Sequence, residues 1–357
     1  MFSVIYDDNE TRHAPRFYIK NGKLGGNLDN PQRAETLLAA FRAASISVEK
    51  ATDFGLAPVL DVHTQPYVRF LQRADEYLKS DVTASSELVP TITRKADASV
   101  YPSSLVGQLE WHMFDTYSPI SSATMSAALG AANSALSAAS ILKAGGHASS
   151  YALCRPPGHH AHADYGGGYC YFNNAAIAAE FLSRDSTRVA ILDIDADHGN
   201  GTQSIFYDRA DVLHVSLHAD PVYSYPYFTG HESETGSGDG IGANRNVPLP
   251  VGTTDRAYLN ALNGALDYIA RFDPAYLVVA LGVDGHAEEP NPLFGLSTDA
   301  YWQIGEAIAS LTRPTMFTQE GGYNLKNVAS NVLATISPFV AQTEFTTPTT
   351  KKGNANV

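Results

Sequence analysis

Asp193, Asp195 and Asp197 stand at two-residue spacing where the apolar run Val189-Ala190-Ile191-Leu192 ends. If the extended backbone continues, its period of 2 puts all three carboxylates on one face. Carboxylates crowded at the end of a buried strand repel one another, so their pKa values rise or cations neutralise them. The plainer reading is a solvated strand end that caps the next helix. Asp is seldom buried unpaired, which favours the cation. Oxygen ligands alone suit Mg, Ca or Mn, and added imidazole suits Zn. His159-His160 follows Arg155-Pro156-Pro157-Gly158, a stiff turn able to aim two rings. Paired histidines beside a metal can serve as general base and general acid. For the pair alone, two rings satisfied by loop hydrogen bonds is an equal reading. Tyr323 follows two glycines and can donate its hydroxyl to a developing oxyanion. Taken singly, it reads as a packed loop tyrosine.

These clusters need a common scaffold. Each follows an apolar run: Arg155–His160 after Tyr151–Cys154, Asp193–Gly201 after Val189–Leu192, Gly282–His286 after Leu277–Leu281, and Glu320–Asn324 after Met316–Thr318. Open α/β sheets place ligand sites at the carboxyl ends of their strands, so one crevice can collect all four. Strands are expected at Val4–Tyr6, Ser150–Cys154, Arg188–Ile194, Val212–Leu217, Tyr276–Leu281 and Thr315–Thr318. Their continuous apolar character fits a parallel sheet buried on both faces. Helices are expected at Ser121–Ala144, Asn173–Ser183, Ala257–Phe272, Asp299–Leu311 and Asn324–Val340. An earlier helical face runs through Ala34, Leu37, Leu38 and Phe41. This alternation predicts a single α/β domain with helices on both faces of the sheet. Gly230–Asn246 and Ala84–Ser99 read as loops. The domain is expected over 1–342, with a polar, mobile tail over 343–357.

Composition narrows the function classes. The 357 residues carry 24 Lys and Arg against 37 Asp and Glu, a net charge of −13. That argues against a sequence-independent nucleic-acid binder, which needs a basic surface. It is compatible with a cationic small molecule. Charged residues are 17% of the chain, below the usual share of about 25%, which points to a large buried fraction. Cys154 and Cys170 form neither a disulfide framework nor a CxxC zinc pattern. No apolar run reaches the ~18 residues of a membrane span, and no signal-peptide h-region precedes Asp8. A cytoplasmic location with no membrane partner is expected.

The motifs RPPGHH, GGGYCYFNNAAIAA, LDIDADHGNGTQ, VSLH, LGVD and EGGY together resemble the histone deacetylase and acetylpolyamine amidohydrolase family, in that family's order. The likeness runs from Arg12 to the last helix and is nearest the bacterial acetylpolyamine amidohydrolase branch, through GQL at Gly107 and ALCRPPGHHA. The resemblance implies the arginase–deacetylase fold with an eight-stranded parallel sheet, and zinc-dependent hydrolysis of an acetylated amine, polyamine or acetyl-lysine-like. It implies Asp195 and Asp284 as zinc ligands, with one zinc per chain, though another divalent metal fits. His159 and His160 are the implied proton-transfer pair, hydrogen-bonded by Asp193 and Asn200, and Tyr323 polarises the carbonyl. Gly168, Tyr169 and Tyr225 would wall a narrow tunnel, and Asp115 is its rim carboxylate. Asp193 with backbone near Asp195, Asp197, Ser216 and Leu217 would hold a structural K+ or Na+. A homodimer is implied, with Arg12–Gly26 as the insertion that narrows the tunnel.

Two departures stand out. The family motif Asp-x-Asp-x-His-His-Gly has Asp197 here at its first histidine, so Asp197 becomes the third metal ligand. Three carboxylates leave a divalent site with a net charge near −1, which weakens its Lewis acidity. His198 aligns with the second histidine and is not expected to substitute. The polyamine branch also carries acidic residues where Phe17 and Val106 stand; Asp115, Glu110 and the overall acidity are the candidates to compensate. The rival readings are a weakened, binding-only deacetylase-like protein, and a ureohydrolase, whose Asp-x-His-x-Asp motifs are missing.

Overall fold

The computed structural model describes residues 2–20, 22–80, 86–94, 97–145, 149–184 and 187–341. The expected tail at 343–357 lies outside the described residues. Eight strands form one sheet: β1 Ser3–Tyr6, β2 Ser47–Lys50, β3 Ser149–Ala152, β4 Val189–Asp193, β5 Val212–Ala219, β6 Asn244–Leu249, β7 Tyr276–Leu281 and β8 Thr315–Gln319. Their order is β6-β5-β4-β7-β8-β3-β1-β2, and every neighbouring pair is parallel. The four strands expected to end in chemistry are therefore the central four, side by side, and parallel pairing opens all their carboxyl ends on one edge. The register places Ala280 opposite Asp193, and Leu281 opposite Gln319.

The apolar runs serve two cores. Ala190 and Leu192 of β4 pack into one cluster with Leu277, Val279 and Leu281 of β7. Val189 and Ile191 face the other cluster with Val278 and Ala280. Burial on both faces removes the polar alternation a one-sided sheet would show. The second core takes the helix Thr124–Lys143, whose Ala128, Ala131, Ala135 and Leu136 are buried there. That helix is long and apolar enough to span a membrane, yet most of it is buried inside the protein.

The two edge strands escaped sequence reading. Ser47–Lys50 is largely exposed, and Asn244–Leu249 is polar in its first half, so neither forms an apolar run. The last three residues of Gly230–Asn246, expected as loop, open β6. Within Ala84–Ser99, Glu87–Leu88 pairs with Ile120–Ser121 as a short antiparallel bridge; residues 84, 85, 95 and 96 lie outside the described residues. The segment Arg12–Gly26 contains an antiparallel hairpin of Phe17–Lys20 and Lys23–Gly26.

A buried charge cluster ties the N-terminal segments to the site edge. Asp29 accepts from Arg33 Nη1 at 2.6 Å and lies 3.2 Å from Arg155 Nε, all three side chains at 2% exposure or less. Arg33 also donates to the carbonyls of Glu320 and Gly322, in the turn that leads into Tyr323. Burial opposes the ionised carboxylate of Asp29, but Arg155 and then Arg33 outweigh it and hold its pKa below the ordinary value. Asp29→Asn leaves two buried guanidinium groups short of a counter-charge and is expected to destabilise the fold by about 3–5 kcal/mol. A urea melt checks it: the midpoint should fall at unchanged slope, and a midpoint that stays put would sink the claim. The Asp29 contribution is present above the unfolded carboxylate pKa of about 3.9 and is lost as pH falls through the lower folded value.

Candidate active site

The strand β4 ends at Asp193 rather than running on to Asp197. Asp195 N donates to Asp193 Oδ1 at 3.1 Å, and Asp197 N donates to Asp195 Oδ1 at 3.0 Å. Each carboxylate thus captures the backbone two residues on, which competes with the sheet ladder and turns the chain. The three aspartates are consequently divided between tasks instead of sharing one strand face. Asp193 is fully buried and reaches back to His159, while Asp195 and Asp197 line the cavity above the strand ends together with Asp284.

The histidine loop is held from below by a residue given no role from sequence. Glu320, fully buried at the end of β8, accepts from the backbone N–H of Gly158 at 2.7 Å and of His159 at 3.1 Å. Its position after an apolar run was the one sequence signal for it. His159 Nδ1 donates to Asp193 Oδ2 at 3.0 Å, and His160 Nδ1 donates to Asn200 Oδ1 at 2.8 Å. Asn200 in turn donates to His162 Nε2 at 3.1 Å, which places His162 behind the pair as a support. The two site rings lie 3.8 Å apart between centroids. With both Nδ1 atoms donating, each neutral ring keeps Nε2 as its proton acceptor.

The environments of the pair differ. Burial works against a charge on His159, yet Asp195 and then Asp193 overcome it and raise its pKa well above that of an ordinary imidazole. Burial, followed by the neighbouring His159, lowers His160 well below. Divergent acid–base character in adjacent groups is the arrangement a proton-transfer pair needs.

Asp195 and Asp284 converge. Gly321 N donates to Asp195 Oδ2 at 2.8 Å, and Ala196 N donates to Asp284 Oδ1 at 3.0 Å. A Cβ at Gly321 would meet Asp284 Oδ2 at 2.3 Å and Asp195 Oδ2 at 2.7 Å, so only glycine admits both. Burial, then Asp195 and Asp197, push Asp284 well above the carboxylate range. Asp197 accepts from Ser224 Oγ at 2.8 Å, and burial followed by Asp195 pushes its pKa up to about 7. This donor set fits a hard divalent cation, which would relieve the mutual repulsion that now burdens the carboxylates. The triple of potential ligand atoms lying within 4.8 Å of one another is a different one, His159, Cys170 and Glu320. Glu320 there already accepts two backbone N–H groups on Oε2 and the Thr318 hydroxyl on Oε1, and burial raises the Cys170 thiol well above its ordinary value, so it stays protonated and ligates poorly. His198 is buried against Gln203 and Thr229, as expected for a residue outside the ligand set.

Aromatic walls lead to this floor. Tyr323 lines the cavity and packs against Tyr169 at 5.6 Å between centroids. Tyr225 stands edge-on to His160 at 4.8 Å. Gly168 has φ 56°, and a Cβ there would meet His160 Cδ2 at 2.2 Å, so both conformation and space demand glycine. Asp115 does not stand free at the rim. Its carboxylate accepts from Gly168 N at 2.9 Å, Tyr225 Oη at 2.7 Å and Tyr117 N at 2.9 Å, which makes it the brace of the tunnel wall. Glu110 is likewise spent on the backbone N–H groups of Thr91 and Ile92. The hairpin of Arg12–Gly26 brings Lys20 to the cavity, a residue that sequence reading passed over.

A family model described as Histone deacetylase domain matches residues 27–338. Acetylpolyamine amidohydrolase 2 of Pseudomonas aeruginosa is 43% identical over 341 residues, covering 94% of this chain and 98% of that protein. Acetylpolyamine amidohydrolase of Mycoplana ramosa is 37% identical over 331 residues, covering 92% and 96%. The crystal structure of acetylpolyamine aminohydrolase from Burkholderia pseudomallei superposes with a TM-score of 0.91 at 37% identity, covering 96% of this chain and 99% of that one.

Proposed function

Because the chain belongs to the histone deacetylase family, we propose that it is a metal-dependent amidohydrolase that removes an acetyl or similar acyl group from an acetylated amine. The observation that carries this reading is the His159–His160 pair, anchored through Asp193 and Asn200 and set beside Asp195, Asp284 and Tyr323. The relatives named acetylpolyamine amidohydrolases support a small acetylated amine as the substrate class.

Asp195, Asp197 and Asp284 would hold one divalent cation, zinc on the family likeness although three oxygen ligands also suit Mn or Mg, and it would supply Lewis acidity toward the amide carbonyl and the attacking water. The protein's own groups do the rest. The Tyr323 hydroxyl donates a hydrogen bond to the carbonyl oxygen as negative charge grows there. One histidine of the pair takes a proton from water through Nε2, and an imidazolium returns a proton to the leaving amine nitrogen. The Asp193 carboxylate favours the charged form of His159, whereas the neutral Asn200 amide brings no counter-charge to His160, whose burial favours the neutral ring. Tyr169 and Tyr225 enclose the linker of the substrate and exclude water, with Asp115 holding Gly168 and Tyr225 in place. A monovalent cation at Asp193, adjacent to Ser216 across β4 and β5, belongs to the same reading, as do a homodimer and a cytoplasmic location.

Elemental mass spectrometry on protein purified without added metal tests the proposal, followed by acetate release from acetylated diamines. The expected result is close to one divalent transition metal per chain, with acetate release lost on chelation and restored by the same metal. Failure of acetate release from every acetylated amine at full metal loading would overturn it.

A further inference from the structure

We propose that Lys20 reads the far end of the substrate, and that this protein prefers N-acyl amines whose other end is an anion, such as an ω-acetamido carboxylate, over acylated diamines. The inference rests on the deacylase reading above and names the substrate class within it.

The cavity holds an unequal set of charges. Its wall carboxylates are already engaged. Glu289 accepts from the backbone N–H of Tyr323 at 2.9 Å and of Asn324 at 3.2 Å. Asp115 is filled by two N–H groups and a hydroxyl. Asp195, Asp197 and Asp284 form the cation-binding floor. Among the described residues, the carboxylates along the wall are thus held by the protein's own donors, and none is paired with a cation. Lys20, by contrast, is half-buried at the cavity, and its ammonium makes no hydrogen bond and no ion pair within 4.0 Å among the described residues. A half-buried cation with no hydrogen bond and no ion pair is a feature that can gain from an incoming anion.

Lys20 is also held in place. It ends the strand Phe17–Lys20, paired to Lys23–Gly26. Tyr18 stacks on Tyr117 at 5.6 Å between centroids. Ile19 N donates to the Thr116 carbonyl at 3.3 Å, and Thr116 Oγ1 donates back to the Ile19 carbonyl at 2.7 Å. The hairpin is thereby clamped to the same Asp115–Tyr117 stretch that braces the tunnel wall. The −13 net charge of the chain acts over longer range, where salt screens it beyond about 8 Å, so the nearest free charge sets the preference.

Lys20 lies near enough to Asp197 to favour its ionised form, so the competing role is a counter-charge to that extra carboxylate. The two roles predict different outcomes. Three matched acetamide series with linkers of four to eight carbons would be compared on metal-loaded protein: ω-acetamido carboxylates, ω-acetamido amines and uncharged N-alkyl acetamides. The expected kcat/KM is about tenfold or more higher for the carboxylate than for the amine of best length, and Lys20→Glu should shift that ratio about a hundredfold toward the amine, since one charge is removed and the opposite one added. Lys20→Met should shift it by about tenfold and guards against misfolding of the first variant. A wild-type preference for the amine, or equal losses on all three series in both variants, would overturn the proposal, the second result assigning Lys20 to Asp197. Calorimetric binding of the intact amides separates the two readings. Tighter binding of the carboxylate, lost in Lys20→Glu, with no turnover of any series, would retain this inference while the deacylase reading fails; no discrimination in binding and no turnover would remove both.

Discussion

Replacing Tyr323 by phenylalanine is expected to lower kcat for amide hydrolysis about 10²–10³-fold, the usual loss when one donor to a developing oxyanion is removed. The backbone of Tyr323 is fixed by Glu289, and the ring lies beneath the Arg33 guanidinium at 4.8 Å and against Tyr169. Phenylalanine keeps those ring contacts and loses only the hydroxyl. That hydroxyl is a proton donor at neutral pH: burial raises its pKa well above the phenol value, against the opposing pull of Arg33. A group that acts only as charge develops should affect kcat and leave KM nearly unchanged. Steady-state kinetics on one acetylated amine decides the matter. A large rise in KM at constant kcat would reduce Tyr323 to a tunnel wall.

Asp197→His is expected to raise kcat/KM with zinc by about tenfold or more. With Asp195, Asp197 and Asp284 as ligands, a divalent ion carries a net charge near −1. An imidazole in place of Asp197 returns the site to neutrality and strengthens the polarisation of carbonyl and water. Among the described residues the Asp197 side chain hydrogen-bonds only Ser224, in the loop beyond β4, so the exchange costs one hydrogen bond. Binding a metal at Asp197 also competes with a proton, because its pKa without metal stands near 7. Zinc content of the wild type should therefore fall as pH drops through about 7. Zinc content measured across pH, with turnover in parallel, checks both parts; equal activity of the two proteins at full loading would show that the carboxylate serves as well as imidazole.

Fold class was legible because both of its signals are local. Apolar runs such as Leu277–Leu281 mark strands buried on both faces, and the amphipathic or Ala-rich stretches between them mark the covering helices. The central four strands were all visible for that reason. The edge strands were not: Ser47–Lys50 is largely exposed, and Asn244–Leu249 opens with the polar Asn244, Arg245 and Asn246, so neither leaves an apolar run. The site was legible in part. Asp193, His159, His160, Asn200 and Tyr323 sit after strand ends and come together as expected. The shared strand face for the three aspartates was a wrong inference, because Asp193 and Asp195 cap the next backbone groups and end the strand early. Glu320 and Ser224 went unassigned, since their partners lie far away in the chain.

The order of residues alone determined the kinds of chemistry available: carboxylates, an imidazole pair and a phenol, each following an apolar run that a parallel sheet must bury. Strand ends in such a sheet share one edge, so their convergence was already implied. Which of those groups remain free was decided only by the tertiary structure. Hydrogen-bond saturation depends on partners brought in from elsewhere. Gly168 and Tyr225 close Asp115, Tyr323 and Asn324 close Glu289, and the docked hairpin leaves Lys20 beside the cavity with no hydrogen bond or ion pair among the described residues.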